Sequence, residues 1–351
     1  MKVRKLLMTI ALLWGGISTA QDNFKIPFDR ITLKLDGRID YQNTDGKLNG
    51  EDINTQGFQT SKMVFQTDID LYKGLHFFYR QQFKRYNDAP TDGLGKQIEK
   101  LGISYERNVW KITVGKQWFN IGSYEQYYDP NDVYTYSGAN CIAPAWKTGI
   151  NIAYNVNNQQ IGFQVVNGSE VKGQNDLYYN IYWYGNIGNG FIIPMMNVAT
   201  DMESGNMGYI SEIGARWNFG SIKLDTDFIY ISDLKGTSAS NDDTYYSIPI
   251  QLKYEGKHFQ PGVKYIYNNR DDNGVSNITK KSEYHQDVEG YTIEGFLNYY
   301  PFEGKDFNIH AVATYDKLET IDTRPNEPKD LSSLRLMVGI RFGFDIFGKK
   351  N

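Results

Sequence analysis

A single cysteine, Cys141, stands in a chain of 351 residues, so neither a disulfide framework nor a multi-cysteine zinc site can be built. Histidine is as scarce. His76, His258, His285 and His310 are all there are, with no pair at a metal-ligand spacing and no identifiable serine partner for a hydrolase. Glycine-rich phosphate loops that open a helix are absent. The segment Asp271-Asp272-Asn273-Gly274 lacks the alternating acids and closing glutamate of a calcium loop, and reads as a surface turn. These absences argue against an enzyme, and nothing in the sequence requires a cofactor. Beyond the N-terminus no segment approaches the ~18 consecutive apolar residues of a membrane helix, so a membrane location would require a closed barrel. Basic charge is not in excess either. The formal net charge is -4, and this leaves no footprint for nucleic acid.

What is present begins with Met1-Lys2-Val3-Arg4-Lys5, an apolar run from Leu6 to Trp14, and Ser18-Thr19-Ala20 before Gln21. A basic start, a short apolar stretch and small residues at the end make a secretory signal peptide. The expected division is therefore 1–20 as leader and 21–351 as the mature protein. No cysteine follows the leader to carry lipid, and only Gln21 to Asp29 precede the first strand, too little for a plug domain.

Twenty-seven tyrosines, 19 phenylalanines and 6 tryptophans coexist with a mean hydropathy of -0.54. That combination suits a barrel wall with one face to lipid and the other to water, because the average conceals the apolar half. Strand period runs from about residue 30 to the end. Ile31, Leu33, Leu35, Ile39 and Tyr41 alternate with Thr32, Lys34, Asp36, Arg38 and Asp40, and Met63, Phe65, Ile69 and Leu71 alternate with Lys62, Gln66, Asp68 and Asp70. Continued along the chain, this reading predicts an all-β, 16-stranded antiparallel transmembrane barrel.

The connections alternate between short and long. Short ones fall at Lys73-Gly74, Arg107-Asn108, Val156-Asn157-Asn158, around Gly185 to Asn189, and at Gly220, Glu255-Gly256-Lys257 and Phe302-Glu303-Gly304. Long ones are expected near 42–57, 87–97, 120–145, 168–175, 200–206, 233–243, 270–288 and 318–332. Short periplasmic turns and long extracellular loops are the habit of outer-membrane barrels. Tyr105, Trp110, Tyr254, Phe259, Tyr299 and Phe307 flank short turns on the apolar rows, where an interfacial aromatic belt belongs. The last strand, with Leu334 to Ile346 alternating apolar, is expected to close the barrel. Leader and barrel together predict the outer membrane of a Gram-negative bacterium, with its lipids as surroundings and small solutes or ions as cargo.

The longest connection, 120–145, is rich in tyrosine, and a loop of that length needs a surface to pack on. In and around it stand Val114-Gly115-Lys116-Gln117, Ile121-Gly122-Ser123-Tyr124-Glu125, Asp132-Val133-Tyr134-Thr135-Tyr136-Ser137, Thr148-Gly149-Ile150 leading to Tyr154-Asn155, and Val166-Asn167-Gly168. In these residues the chain resembles the phosphate-selective porin O and P family of the Bacteroidetes type. The resemblance implies a homotrimer whose loop after the fifth strand folds into the lumen as a constriction. In that reading Tyr124, Glu125, Asp129, Asp132, Tyr134 and Tyr136 belong to the constriction, with the three acids as negative gate residues.

Strand parity puts Lys34, Arg38, Lys62, Arg80, Lys84, Arg216, Arg335 and Arg341 on the pore wall, together with Asp36, Asp40, Asp68, Asp70, Asp225 and Asp227. Opposite charges such as Arg38 and Asp70 are expected to pair across strands. Because the wall carries both signs, the family's name does not identify a solute. The competing reading is a secreted or outer-membrane carbohydrate-binding or adhesive β-protein whose tyrosines form binding platforms.

Overall fold

Period-two sequences form strands because successive side chains leave the backbone on opposite sides, and here the two sides have opposite chemistry. A computed structural model describes residues 30–48, 50–83, 97–168, 177–201, 208–232, 243–272, 288–302, 307–320 and 330–347. The leader 1–20, Lys84 and His285 lie outside the described residues. The strands are β1 (Ile31–Leu48), β2 (Glu51–Tyr72), β3 (Leu75–Gln82), β4 (Ile98–Arg107), β5 (Trp110–Trp118), β6 (Trp146–Val156), β7 (Gln159–Asn167) and β8 (Leu177–Tyr184). They continue with β9 (Ile192–Asp201), β10 (Tyr209–Phe219), β11 (Ile222–Ser232), β12 (Asp243–Tyr254), β13 (Phe259–Asp272), β14 (Val288–Tyr299), β15 (Phe307–Thr320) and β16 (Asp330–Phe347). Each pairs antiparallel with its neighbours in sequence, and β1 pairs with β16, so the sheet closes into a 16-stranded barrel. Closure gives each strand a neighbour on both sides, while among the described residues the 51–62 stretch of β2 pairs with β1 alone.

The burial pattern is inverted relative to a water-soluble protein. Leu101, Ile103, Val114, Ile152 and Ile161 face outward, and Phe163 is 41% exposed while its neighbour Gln164 is fully buried. Asp36, Asp40, Glu99, Asn180, Asp225 and His310 are buried as well. At the short-turn end the outward aromatics Tyr105, Trp110, Tyr254, Phe259 and Tyr299 are all exposed. Trp110 packs on Tyr154 at 5.0 Å and Phe259 stacks on Tyr299 at 4.9 Å between ring centroids.

The tight turns are set by their residues. Lys73 and Gly74 both have positive φ, as do Asn157 and Asn158, the backbone of two-residue hairpins whose twist matches that of the strands. One expected loop is replaced by strand. Residues 42–57 extend β1 and β2 until Leu48 pairs with Glu51, because this polar stretch keeps its hydrogen-bond ladder to β16 and β2 after the apolar alternation has ended. The expected Arg38–Asp70 pairing is also replaced: Arg38 lies opposite Lys62, and Asp70 lies opposite His76 and accepts its hydrogen bond near the turn.

The ladder is irregular at four points: in β1–β16 between Leu33 and Lys34, in β2–β3 between Asp70 and Tyr72, and at two bulges that reshape the lumen. The β1–β2 register shifts between Arg38 and Ile39, leaving Ser61 unpaired, and the β3–β4 register shifts beside Arg80, leaving Glu99 unpaired. Each adds a side chain to the lumen that strict alternation would have denied it.

Candidate functional site

The connection between β5 and β6 does not stay outside. It enters the lumen and carries two short helices, α1 (Tyr124–Tyr127) and α2 (Gly138–Ile142). Its two ends are closed by the Phe119 N–H donating to the Ala145 carbonyl at 3.0 Å. Gln164 and Asn180 then hold the root: the Asn120 N–H donates to Gln164 Oε1 at 2.9 Å, and Asn180 Nδ2 donates to the Asn120 carbonyl at 2.6 Å.

From there the loop crosses to one wall after another. Ser123 caps α1 by accepting from the Glu125 N–H at 3.2 Å, and the Tyr124 N–H donates to Asp227 at 3.0 Å. Arg216 is held by Asp225 at 2.7 Å, donates to the Tyr128 hydroxyl, and lies 4.7 Å from the centre of the Tyr124 ring. Asn131 donates to Asp36 at 2.7 Å, and Arg38 donates to the carbonyls of Asn131 and Val133 at 3.1 and 2.9 Å. Tyr134 donates to Asn298 at 2.5 Å, Thr135 donates to Glu294 at 2.5 Å, and Arg335 donates to the Thr135 hydroxyl at 2.6 Å. Tyr136, half-buried, lies between these anchors and α2. Burial pushes the hydroxyls of Tyr124, Tyr128, Tyr134 and Tyr136 upward in pKa, so they stay protonated.

Glu125 is placed away from the open passage, which corrects its expected position as a gate residue. Its side chain is buried, pairs with Lys264 at 2.5 Å and accepts from the Ser137 N–H at 3.0 Å, the Ser137 hydroxyl at 2.6 Å and Asn140. Four of the basic residues expected on open wall are covered for a related reason. Arg38, Arg216, Arg335 and Arg341 lie under the loop, their guanidinium groups turned to its carbonyls and hydroxyls and to wall or loop carboxylates. Lys34, at the edge of this group, pairs with Asp36 at 3.0 Å.

Asp129 and Asp132 remain at the free edge of the loop. Asp132 pairs with Arg341 at 3.1 Å with its side chain 30% exposed. Burial pushes its carboxyl above the ordinary value, Arg341 opposes the shift, and the nearby Asp129 adds to it. Asp129 moves the other way. Burial alone would raise it, but Arg80, the Asn131 N–H, Arg341 and Lys62 together hold it below the ordinary value.

The wall facing Asp129 is basic. Lys62 and Arg80 share Glu99, at 3.2 and 2.7 Å. Arg80 and Lys100 both stand over the Trp146 ring, at 6.0 and 5.4 Å. Beside this wall, on the β2–β8 side, a cavity of about 460 Å³ stays open, lined among others by Asp68, His76, Lys100, Lys111, Gln117 and Tyr182. Sequence reasoning missed Glu99, because a bulge is invisible to strand parity, and it left out Lys100, which lies on the regular inward parity of β4 opposite Arg80. It also missed the neutral staples Gln164, Asn180 and Asn298, for which the only signal was amides on the polar parity of strands.

No protein-family model and no curated protein matches the chain. Solved structures do share its fold. The outer membrane channel DcaP of Acinetobacter baumannii aligns with a TM-score of 0.68 at 12% identity, over 90% of this chain and 97% of that one. The anion-selective porin from Comamonas acidovorans aligns at 0.61 with 15% identity, over 90% and 100%. OmpT of Vibrio cholerae, in its trimer form, aligns at 0.56 with 12% identity, over 90% and 100%. At these identities the likeness is one of architecture: the 16-stranded barrel of this chain is similar to the fold of these outer-membrane porins and channels.

Proposed function

We propose that the protein is a passive diffusion channel for small hydrophilic solutes or ions in the outer membrane of a Gram-negative bacterium, with residues 1–20 removed on export. The apolar outer face with its aromatic belt supports the membrane location, since an exposed surface of that extent has no place in water. The observation that carries the channel reading is the asymmetric lumen. The loop, rooted on Gln164 of β7 and Asn180 of β8, packs against β1 and β9–β16 and leaves a cavity toward β2–β8, with Asp129 facing Lys62 and Arg80 and Asp132 paired with Arg341. Charges facing each other across a narrow, weakly screened passage act strongly on a partly dehydrated ion. Unit charges about 8 Å apart at an effective dielectric of about 20 interact by roughly 2 kcal/mol, enough to bias which ion passes. Glu125, by contrast, acts as the latch that shapes the loop.

The motifs at the loop support the finer reading of a phosphate-selective O and P type porin in loop architecture. The mixed charge of the passage favours weak selectivity over a dedicated phosphate path. The homotrimer is part of the same proposal, supported by the trimer form of the structurally similar OmpT.

The test is the reversal potential of the purified protein in planar bilayers under a salt gradient. D129N/D132N is expected to shift preference toward anions, and neutralising Lys62 and Arg80 to shift it toward cations. An unchanged reversal potential in both would remove the loop and its facing wall as the selectivity element. A folded barrel without stepwise conductance would overturn the channel reading in favour of the carbohydrate-binding alternative.

A further inference from the structure

Beneath the root of the loop lie two carboxylates that the loop's anchoring contacts do not neutralise. Glu212 on β10 stands opposite Asn197 on β9, and Asp227 on β11 stands opposite Gly214 on β10, so the three polar side chains share one patch of the inner wall. Glu212 and Asn197 are each 3% exposed and Asp227 is 5% exposed. Both carboxylate oxygens of Glu212, Oδ1 of Asp227 and Oδ1 of Asn197 have no hydrogen-bond donor. The neighbouring cations are engaged elsewhere, Arg216 by Asp225 and Lys264 by Glu125.

Two glycines make room for these oxygens. A Cβ on Gly122 would lie 2.0 Å from Glu212 Oε2, and Gly122 also holds a φ of +79°. A Cβ on Gly214 would lie 2.0 Å from Asp227 Oδ1 and 2.8 Å from Glu212 Oε1, so oxygens from both carboxylates converge beside one backbone position.

We propose that Glu212 and Asp227, with the amide oxygen of Asn197, form a binding site for a divalent cation of calcium type at the root of the loop. Buried like charges without a counter-ion are strongly unfavourable. One shared proton would neutralise a single carboxylate and bridge two oxygens. A divalent cation neutralises both and engages all the undonated oxygens together. The donor set contains oxygen alone and is irregular, which suits calcium better than magnesium with its strict octahedron and reluctance to dehydrate. The other oxygen of Asp227 accepts from the Tyr124 N–H at 3.0 Å and the Ser123 hydroxyl at 3.3 Å. A bound cation would thereby fix the carboxylate that fixes α1, whether or not the barrel conducts.

The test is calorimetric titration of the chelator-treated, detergent-purified protein with calcium chloride, for wild type, E212Q and D227N, each shown to be folded by heat-dependent gel migration. One calcium per chain is expected in the wild type, with affinity lowered by roughly tenfold or more in each variant as ligand charge is lost. No uptake by the wild type, or uptake unchanged in both variants, overturns the site. Should a variant not fold, terbium titration of the wild type decides: tyrosine-sensitised emission that calcium displaces is expected from Tyr124 beside the site, and its absence overturns the proposal.

Discussion

Asp129 and Asp132 sit three positions apart in sequence, yet their surroundings push their carboxyls to opposite sides of the ordinary value. The consequence for a channel has a definite sign. As pH falls from neutrality, Asp132 takes up its proton first, and Asp129, held ionised by Arg80 and Lys62, keeps its charge to lower pH. Cation preference read from reversal potentials is expected to fall in two steps, of which D132N removes the upper and D129N the lower. A single step near the ordinary value in all three proteins would show that the loop edge does not face that basic wall. Cys141 offers an independent probe of the same environment. Its side chain is reachable by solvent, but partial desolvation among the surrounding loop and wall pushes its thiol up to about 11, Glu125 adding to the shift and Lys264 opposing it. Since the thiolate is the nucleophile, modification by a small methanethiosulfonate, followed by mass, is expected to be slow at pH 7 and to accelerate about tenfold per pH unit toward pH 10. Fast, pH-independent labelling would mean that α2 is not packed against Glu125. Residue roles of this kind were only partly legible in the sequence. The acids of the loop were visible as a group, but nothing local separates Glu125, which meets Lys264 far along the chain, from Asp129, which faces Arg80 and Lys62.

At the scale of elements, the strands were legible because alternation is a local property that each short segment displays by itself. The barrel of sixteen and most strand ends derive from it. What alternation cannot report is where pairing continues without it, as in β1 and β2 up to Leu48 and Glu51, or where a bulge turns Glu99 inward. The path of the loop is still less local, since its contacts join residues 93 and 201 positions apart, as between Arg38 and Asn131 or Arg335 and Tyr134. The Glu125–Lys264 pair is the strongest single test of that path. Removing one partner of a buried ion pair leaves the other uncompensated and costs about 3–5 kcal/mol. Glu125→Ala is therefore expected to loosen the loop while the barrel ladder stays intact, seen as frequent substate transitions in single-channel records with unchanged heat-dependent gel migration. Glu125→Gln, which keeps the hydrogen bonds to Ser137 but loses the charge, should show a milder form. Quiet, wild-type currents from Glu125→Ala would mean that the loop is held without this latch.

For the whole molecule, the inverted burial decides what kind of partner the outer face accepts. An apolar exterior can be covered by lipid or by copies of the same chain, and because the strands of the barrel body are paired into a closed sheet, association there uses side chains of the outer wall. Rings close when the same pair of patches repeats by rotation, and three is the number carried by the trimer form of the structurally similar OmpT. The expected outcome of lysine-directed crosslinking of the detergent-purified protein is a product at three times the chain mass that survives dilution, with any dimer converting to it at longer times. Such a product would also give conductance in groups of three equal steps, since each barrel carries its own loop and passage. Monomer alone at all concentrations would place lipid around the full circumference, and single steps would then be the unit of conduction. The two measurements bear on different surfaces, because crosslinking reads the outer wall and step grouping reads the lumen. Agreement between them would therefore tie the assembly to the passage that Asp129, Lys62 and Arg80 enclose.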